Sequence, residues 1–397
     1  MTDRRFWRRG IGSEQRIANL LDHLARRERP VVAAYLGRVP AADRDALAHF
    51  AAPLARLSIQ ARRPDPLGWL RERFAPRPRA ANNPLLANRS PARRRFVRRL
   101  LQALEPRVVI VEFARLTATV HPRPNGARTE TAYWIDTHDL LHRRTARFRA
   151  HGLALPVEID AAQEAEALAT YDALIAIQAN EARALHRLVP DKPVLVVPHG
   201  LELPVPVPGF EPGPRPIRIG FLGGRDPSNE AALHWFLDHV WPKLAMRLGD
   251  RAEVVVGGQI AARWQRMEHG MRIRRRVDSI GEFWPSIDIA INPVRFGSGL
   301  KIKNVEALAH ARALLTTPIG AEGLEDAAPA GLGIAESASE WIALLEAWVA
   351  DPDAIARIGR AGRAHAESHF SPAAAFAALD AALDALDAGA STGREPA

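Results

Sequence analysis

The segment Asp288–Leu324, DIAINPVRFGSGLKIKNVEALAHARALLTTPIGAEGL, holds the residues best suited to chemistry. It reads as buried strand, glycine loop, helix, buried strand and second glycine turn. Gly297 and Gly299 bracket Ser298 just before a helix predicted to start near Leu300. Glycines let backbone approach a ligand closely, and a helix start offers unpaired N–H groups at the positive end of its dipole. Lys303 and Glu306, three residues apart, share one helical face. Such a loop presents amides and a cation to a phosphate, with a carboxylate behind them for a sugar diol. The competing reading is a plain helix end with a surface Lys303–Glu306 ion pair, because short glycine motifs recur by chance.

Composition favours the ligand. Of 54 Lys and Arg residues only Lys192, Lys243, Lys301 and Lys303 are lysines, and two of these four lie in the one loop. A compact ammonium does not substitute freely for a planar guanidinium at a tight phosphate site. The 397 residues suffice for two domains, and 47% hydrophobic with 25% charged content is that of a globular protein. No apolar run is long enough to span a membrane, and MTDRRFWRRG lacks a signal peptide's apolar core. The absence of cysteine removes disulfides, a thiol nucleophile and a thiolate zinc site, and a cytoplasmic location is expected.

The net charge of +9 is uneven: residues 1–150 carry +18 and the remainder −9. The densest basic stretch, Arg62–Arg99, interleaves Trp69, Leu70, Phe74, Phe96 and Val97 with arginines. It reads either as an interfacial element for an anionic membrane surface or as arginine drift on a solvated face. Nucleic acid is not an expected partner, since no binding module accompanies the charge.

Along the chain, apolar runs alternate with amphipathic helices. Strands are predicted at Val31–Leu36, Val108–Phe113, Tyr133–Asp136, Ala173–Gln178, Val194–Pro198, Ile217–Leu222 and Ala252–Gly257. Helices are predicted around Ile17–Leu24, from Ser90-Pro91 to Leu104, around Glu164–Tyr171, at Asn180–Leu188, and as one long helix ending at Leu248. This alternation implies α/β architecture with parallel sheets covered on both faces. The expected division is a Rossmann-like domain over 1–202, a Pro/Gly-rich linker over 203–216, and a second Rossmann-like domain over 217–370. A helix over 371–388, crossing back to the first domain, and a disordered tail over 389–397 complete it.

With these segments in order, the chain resembles a group 1 (family 4) glycosyltransferase of the GT-B fold. The motifs are FWRRGIGSEQRIANLLDHLA, YWIDTHDLLHRR, ALIAIQANEARAL before VLVVPHG, IGFLGGRDPSNEAALHWFLDHVWPKL, FGSGLKIKNVEALA and TTPIGAEGL. The resemblance implies two Rossmann-like domains facing across a cleft, with most of the acceptor site in the domain over 1–202 and the nucleotide-sugar donor held by the domain over 217–370. It also implies transfer of a sugar from a nucleotide diphosphate donor (UDP or GDP type), with retention and without metal or other cofactor. The acceptor would be a glycan or a lipid-linked molecule in polysaccharide or glycoconjugate synthesis, reached from the cytoplasm or the inner face of the membrane. Glu306 matches the family residue that binds the donor ribose. The amides from Gly297 through Ser298 and Gly299 to Leu300 match the pyrophosphate cradle, with Lys303 and Lys301 neutralising charge. Arg225 matches a basic residue reaching the diphosphate, Gly10 and Gly12 match the glycine loop of the first domain, and His138 matches a histidine near the donor sugar. His138 beside Asp136 and Asp139 has the alternative of merely ordering its loop, His199 reads as a turn residue, and Glu322 either faces the nucleotide or caps the next segment.

Two departures stand out. Ser298 occupies the place of a glutamate that often contacts the transferred sugar, and RDPSNEAAL lacks the lysine usual after the Arg225 position. The family's first strand should also precede Phe6, where only MTDRR is present, so either the start has been placed too late or the sheet lacks this strand. The alternatives to a transferase are a non-catalytic relative that binds nucleotide sugar or partners another transferase, and a sugar-nucleotide epimerase of GT-B shape.

Overall fold

The computed structural model describes all residues except 28, 63–82, 88–89, 121–129, 206–209, 211–212, 263–270, 275–279 and 392–397. Most of the basic stretch from Arg62, part of the 203–216 linker and most of the expected tail thus lie outside the described residues. The chain forms two compact units, one of Met1–Gly200 with Phe376–Ala397, the other of Leu201–Ala375. Among the described residues no helix is long and apolar enough to cross a membrane.

In the first unit, β3 (Val108–Glu112), β4 (Ala132–Asp136), β5 (Ala173–Ala176) and β6 (Val194–Val196) make a parallel sheet in that order. β1 (Val31–Tyr35) and β2 (Leu57–Ala61) pair separately, also in parallel. Met1 and Thr2 occupy the place where the first strand was expected to be missing. Thr2 N–H donates to Ala34 O at 3.0 Å and its carbonyl accepts from Leu36 N at 2.8 Å. On the other side the Met1 carbonyl accepts from Glu112 N at 2.9 Å, and the terminal amine donates to Ile110 O at 2.6 Å. Two residues therefore bridge the β1 and β3 edges, which corrects the expectation of an absent strand to a very short one. Those edges would otherwise leave backbone groups unpaired in the interior.

In the second unit six parallel strands follow the order β12-β11-β10-β7-β8-β9. They are β7 (Ile217–Leu222), β8 (Ala252–Gly257), β9 (Met271–Arg274), β10 (Ile289–Asn292), β11 (Ala313–Thr316) and β12 (Leu332–Ile334). β8, β10 and β11 are buried along their whole length. That suits strands covered on both faces and explains their continuous rather than alternating apolar runs. Ile219, Phe221, Val254, Val256, Ile289, Ile291 and Leu315 share the core with Phe236, Trp241 and Trp341.

Two helical expectations are corrected. The long helix ending at Leu248 is two helices, Pro227–His239 and Trp241–Leu248, joined at Val240. Pro242 has no N–H to continue the ladder and its ring would clash with the preceding turn, so the helix restarts there. The last helix runs Pro372–Ser391, so residues 389–391 are helical rather than tail. Its Phe376 and Leu379 pack with Leu20, Trp134, Ile175 and Val197 of the first unit. Its Asp380 and Asp384 pair with Arg27, and Asp387 with Arg29 and Arg107. This pinning carries the order past Leu386.

Candidate functional site

The strand order of the second unit reverses between β7 and β10, which are neighbours, Ile289 opposite Ile219. Ligands in open parallel sheets sit beyond the carboxyl ends of strands at such a reversal. Both candidate loops leave from there: Gly223-Gly224-Arg225 follows β7, and the Gly297–Lys301 segment follows β10. Gly297 has φ 134° and Gly299 φ 74°, conformations that would strain any residue with a Cβ. Lys301 is the residue before the helix Ile302–Ala309 and places no side-chain cap on it. Its Nζ instead turns back to donate to Gly299 O at 2.7 Å and lies 3.5 Å from Glu322 Oε2.

A buried polar brace holds this arrangement. Asn304 Nδ2 donates to Gly320 O at 2.8 Å, Asn304 Oδ1 accepts from Asn292 Nδ2 at 2.9 Å, and Thr316 Oγ1 donates to Asn292 O at 2.7 Å. Gly320 N in turn donates to Thr317 Oγ1 at 2.9 Å. The strand end, the helix and the glycine turn carrying Glu322 are thereby tied to one another. Asn292 and Asn304 were not predicted. Their signal was two amides in otherwise apolar phases of a strand and a helix.

Lys303 turns inward, which removes the surface-pair reading. Its Nζ donates to Asn229 Oδ1 at 2.7 Å and to Leu222 O at 3.2 Å, and stands 4.7 Å from the centroid of the Phe221 ring. Among the described residues no carboxylate lies within ion-pair distance of it. Lys303 as a whole keeps some exposure, but its ammonium is enclosed, and burial pushes its pKa down to about 7. Asp226 and Glu306 pull the other way and Lys301 adds to the depression. Asn229 also reaches Gly224 O with Nδ2 at 3.4 Å, so one amide links the β7 turn to Lys303. Glu306 is buried one turn further along the helix. Arg225 is exposed, just ahead of Asp226, whose Oδ1 caps the helix Pro227–His239 by accepting from Ser228 N at 3.0 Å. Gly297, Ser298, Gly299, Leu300, Lys301, Lys303, Glu306, Arg225 and Glu322 are thus all in the second unit.

The other predicted residues, Gly10, Gly12 and His138, are in the first. Gly10 is exposed and its N–H donates to Glu14 Oε2 at 3.0 Å, while Gly12 opens the helix Gly12–Arg26. His138 follows β4 with φ 61°, a costly backbone for a non-glycine residue that persists only where its surroundings over-determine it. Here Glu112 Oε2 lies 2.7 Å from its Nε2, and the ring stacks on Phe113 at 3.8 Å between centroids. Phe113, at the end of the neighbouring strand, also has positive φ, 79°.

Beneath His138 lies an ion pair that the sequence did not reveal. Arg16 Nε and Nη2 bind both oxygens of Asp136, at 2.7 and 2.9 Å, and its remaining donors reach the carbonyls of Val197 and Pro198 at 3.0 Å. Burial alone would raise the Asp136 carboxyl; Arg16 and His138 together hold it below the usual range. Ligand atoms of Glu112, Asp136 and His138 lie within 4.8 Å of one another, a spacing a cation could use. Arg16 already occupies both Asp136 oxygens and Glu112 binds His138 directly, so these groups are satisfied as a charge network. His199, expected as a turn residue, is fully buried: Asn19 Nδ2 lies 3.5 Å from its Nε2, and its Nδ1 has no hydrogen-bond partner. Burial, helped by Arg16, Arg9 and His138, pushes its pKa to about 3, so it is neutral.

Residues 216–351 match the family model of the group 1 glycosyl transferases. Anabaena HepE, solved in complex with UDP and glucose, shares the fold at TM-score 0.60 and 11% identity, over 94% of this chain and 97% of that one. The sucrose-phosphate synthase of Thermosynechococcus elongatus superposes with TM-score 0.63 at 13% identity, over 91% and 100% of the two chains. A glycosyltransferase from Rickettsia africae gives 0.59 at 12% identity, over 95% and 94%. No curated protein matches the chain in sequence. The fold expected from the motifs holds: the chain has the GT-B fold, and its residues 216–351 match the family model of the group 1 glycosyl transferases.

Proposed function

We propose that the protein is a retaining hexosyltransferase that takes a sugar from a nucleoside diphosphate donor of UDP type and works without a metal ion. The observation that carries this is the convergence of two loops and a buried lysine at the β7–β10 strand ends. In this reading the diphosphate lies against the Gly297–Leu300 amides, with Lys301, Lys303 and Arg225 supplying cations and Glu306 accepting from the ribose hydroxyls. As the bond between the sugar C1 and the diphosphate oxygen breaks, its electron pair goes to the diphosphate. Preorganised N–H groups and cations lower the barrier where that charge develops. The acceptor hydroxyl oxygen bonds to C1 on the face that the diphosphate leaves, which retains the anomeric configuration, and its proton passes to the departing diphosphate oxygen. His138, held by Glu112 and Phe113, is the first-unit residue we place against the transferred sugar, with Gly10 and Gly12 in the glycine loop beside the donor.

The acceptor in this reading is a glycan or lipid-linked molecule, bound by the first unit, and the +18 charge of residues 1–150 draws the protein to anionic lipid. HepE was solved with UDP and glucose, which makes UDP-glucose the first donor to try. Following the slow hydrolysis of a panel of nucleotide sugars tests the enzyme reading. Turnover of one donor is expected, and tight UDP binding with no turnover of any donor would overturn it. That outcome would favour the second reading, a relative that binds nucleotide sugar without transferring it, for which Ser298 in place of a glutamate is the motive. Recovery in the supernatant with anionic vesicles at low salt would count against membrane attachment.

A further inference from the structure

The Lys303 ammonium is unusual in what surrounds it. Its two acceptors, the Leu222 carbonyl and the Asn229 side-chain oxygen, are neutral, and its third neighbour is the face of Phe221. Taking an ammonium out of water is expensive unless an opposite charge is near, and a group so placed sheds its proton instead. Three elements face it. β7 contributes only a carbonyl and a ring. The helix Pro227–His239 and its cap contribute Asn229 and Asp226. The helix Ile302–Ala309 and the residue before it contribute Glu306 and Lys301. Asp226 and Glu306 act on it from beyond ion-pair distance, and Lys301 opposes them.

We infer that binding of a nucleoside diphosphate at this loop is coupled to uptake of one proton by Lys303, with Asn229 as the positioning residue that sets the coupling. This rests on the donor site proposed above and adds a regulation to it. A diphosphate brings the anionic charge that the lysine's own neighbours withhold, so the bound state favours ammonium. The unliganded site is poised near the neutral form, consistent with burial pushing Lys303 to about 7. At pH 7.5 about three-quarters of unliganded sites then lack the proton, whereas at pH 5.5 nearly all hold it. Asn229 fixes this balance because its oxygen lies 2.7 Å from Nζ while its nitrogen faces Gly224 O, which orients a neutral dipole where a carboxylate would fit. The result is a site whose affinity falls as pH rises above neutrality, by up to tenfold per pH unit.

Calorimetric titration of the full chain with UDP-glucose, in buffers of different ionisation enthalpy, counts the protons directly. The diphosphate of a nucleotide sugar is a diester and exchanges no proton near neutrality, so any uptake belongs to the protein. The expected result is about 0.7 proton taken up at pH 7.5 and about none at pH 5.5. Lys303→Arg, charged at every pH used, should bind with no uptake whatever its affinity. Asn229→Asp, which places a carboxylate beside the ammonium, should raise the free lysine's pKa and cut uptake at pH 7.5 at least threefold. Binding of UDP-glucose with no proton uptake at pH 7.5, or with uptake unchanged in both variants, overturns the coupling and leaves the donor site standing. Failure of UDP-, GDP- and ADP-sugars alike to bind at either pH overturns the donor site, and the coupling with it. Thermal melts of each variant identify a folding defect, and the wild-type pH series decides the matter without either variant.

Discussion

The two units bury positive charge in opposite ways. In the first, Arg16 grips both oxygens of Asp136, so a full charge meets a full charge. In the second, Lys303 meets a carbonyl, an amide oxygen and an aromatic face. A paired buried charge is held whatever the solution pH near neutrality, and it ties the helix Gly12–Arg26 to β4 and to the chain after β6. A buried cation with neutral neighbours keeps unspent capacity for an incoming anion. The pairing in the first unit therefore reads as scaffold and the lack of it in the second as binding capacity.

The sharpest way to break that contrast is to remove the scaffold pair. Arg16→Met leaves the Asp136 carboxylate buried without its guanidinium and should cost about 3–5 kcal/mol of the first unit's stability. Hydrogen exchange resolved by segment should show lost protection in β3, β4 and β5, with the core strands β7 and β8 keeping theirs. Equal loss in both units would mean that Arg16 is not specific to its own scaffold. Next in size, Glu306→Ala should weaken UDP binding roughly 100-fold, the loss of two hydrogen bonds to a charged acceptor at about 1.5 kcal/mol each. An unchanged Kd would take Glu306 out of the donor site and return its burial to packing.

What the sequence made legible follows the same division. The second unit's loop is contiguous: Gly297, Gly299, Lys303 and Glu306 lie within ten residues, and positive φ with helical spacing could be read from residue type alone. The strand runs were legible for a similar reason, since a strand buried on both faces is apolar throughout, and β7 and β8 have the bounds their runs predicted. What could not be read was long-range pairing. Arg16 is one arginine among many, and its Asp136 partner lies 120 residues away. Asn229 sits in the segment noted for lacking a lysine, yet nothing local says that Lys303 crosses from another helix to meet it. His199, in VPHG, carries turn-like neighbours and is nonetheless buried, where Asn19 and Arg16 of the helix Gly12–Arg26 bind the carbonyls of Val197, Pro198 and Gly200 around it. The two-residue strand at Met1 and Thr2 is shorter than any periodic signal.

A pH titration sharpens the comparison, because each unit holds a base whose pKa is depressed by burial, and the two titrate in different windows. His199 is pushed to about 3 when folded and lies near 6.5 when unfolded. Between those values the unfolded chain binds more protons, so the first unit is fully stable above pH 6.5 and weakens as pH falls, by about 2 kcal/mol at pH 5. For Lys303 the corresponding window is from about 7 to 10.5, so the second unit should gain stability as pH rises through that range. Urea melts at stepped pH, followed by segment-resolved exchange, separate the two. His199→Gln should flatten the acid limb alone and Lys303→Met the alkaline limb alone. Either variant flattening both would show that one of the two assignments is wrong.

The smallest effect distinguishes the two lysines of the loop. Lys301 has a carboxylate, Glu322, at 3.5 Å and donates to the Gly299 carbonyl at 2.7 Å, so part of its charge is already answered before any ligand arrives. Lys303 has no such partner among the described residues and gives its whole charge to the ligand once protonated. Lys301→Met should therefore reduce UDP affinity about fivefold at pH 6.5, near 1 kcal/mol, and Lys303→Met by more at the same pH. Glu322→Gln, which frees Lys301 of its carboxylate, should tighten binding slightly. If Lys301→Met proved the more damaging of the two, the neutral surroundings of Lys303 would be a packing feature, and the charge the diphosphate meets would come from the loop itself.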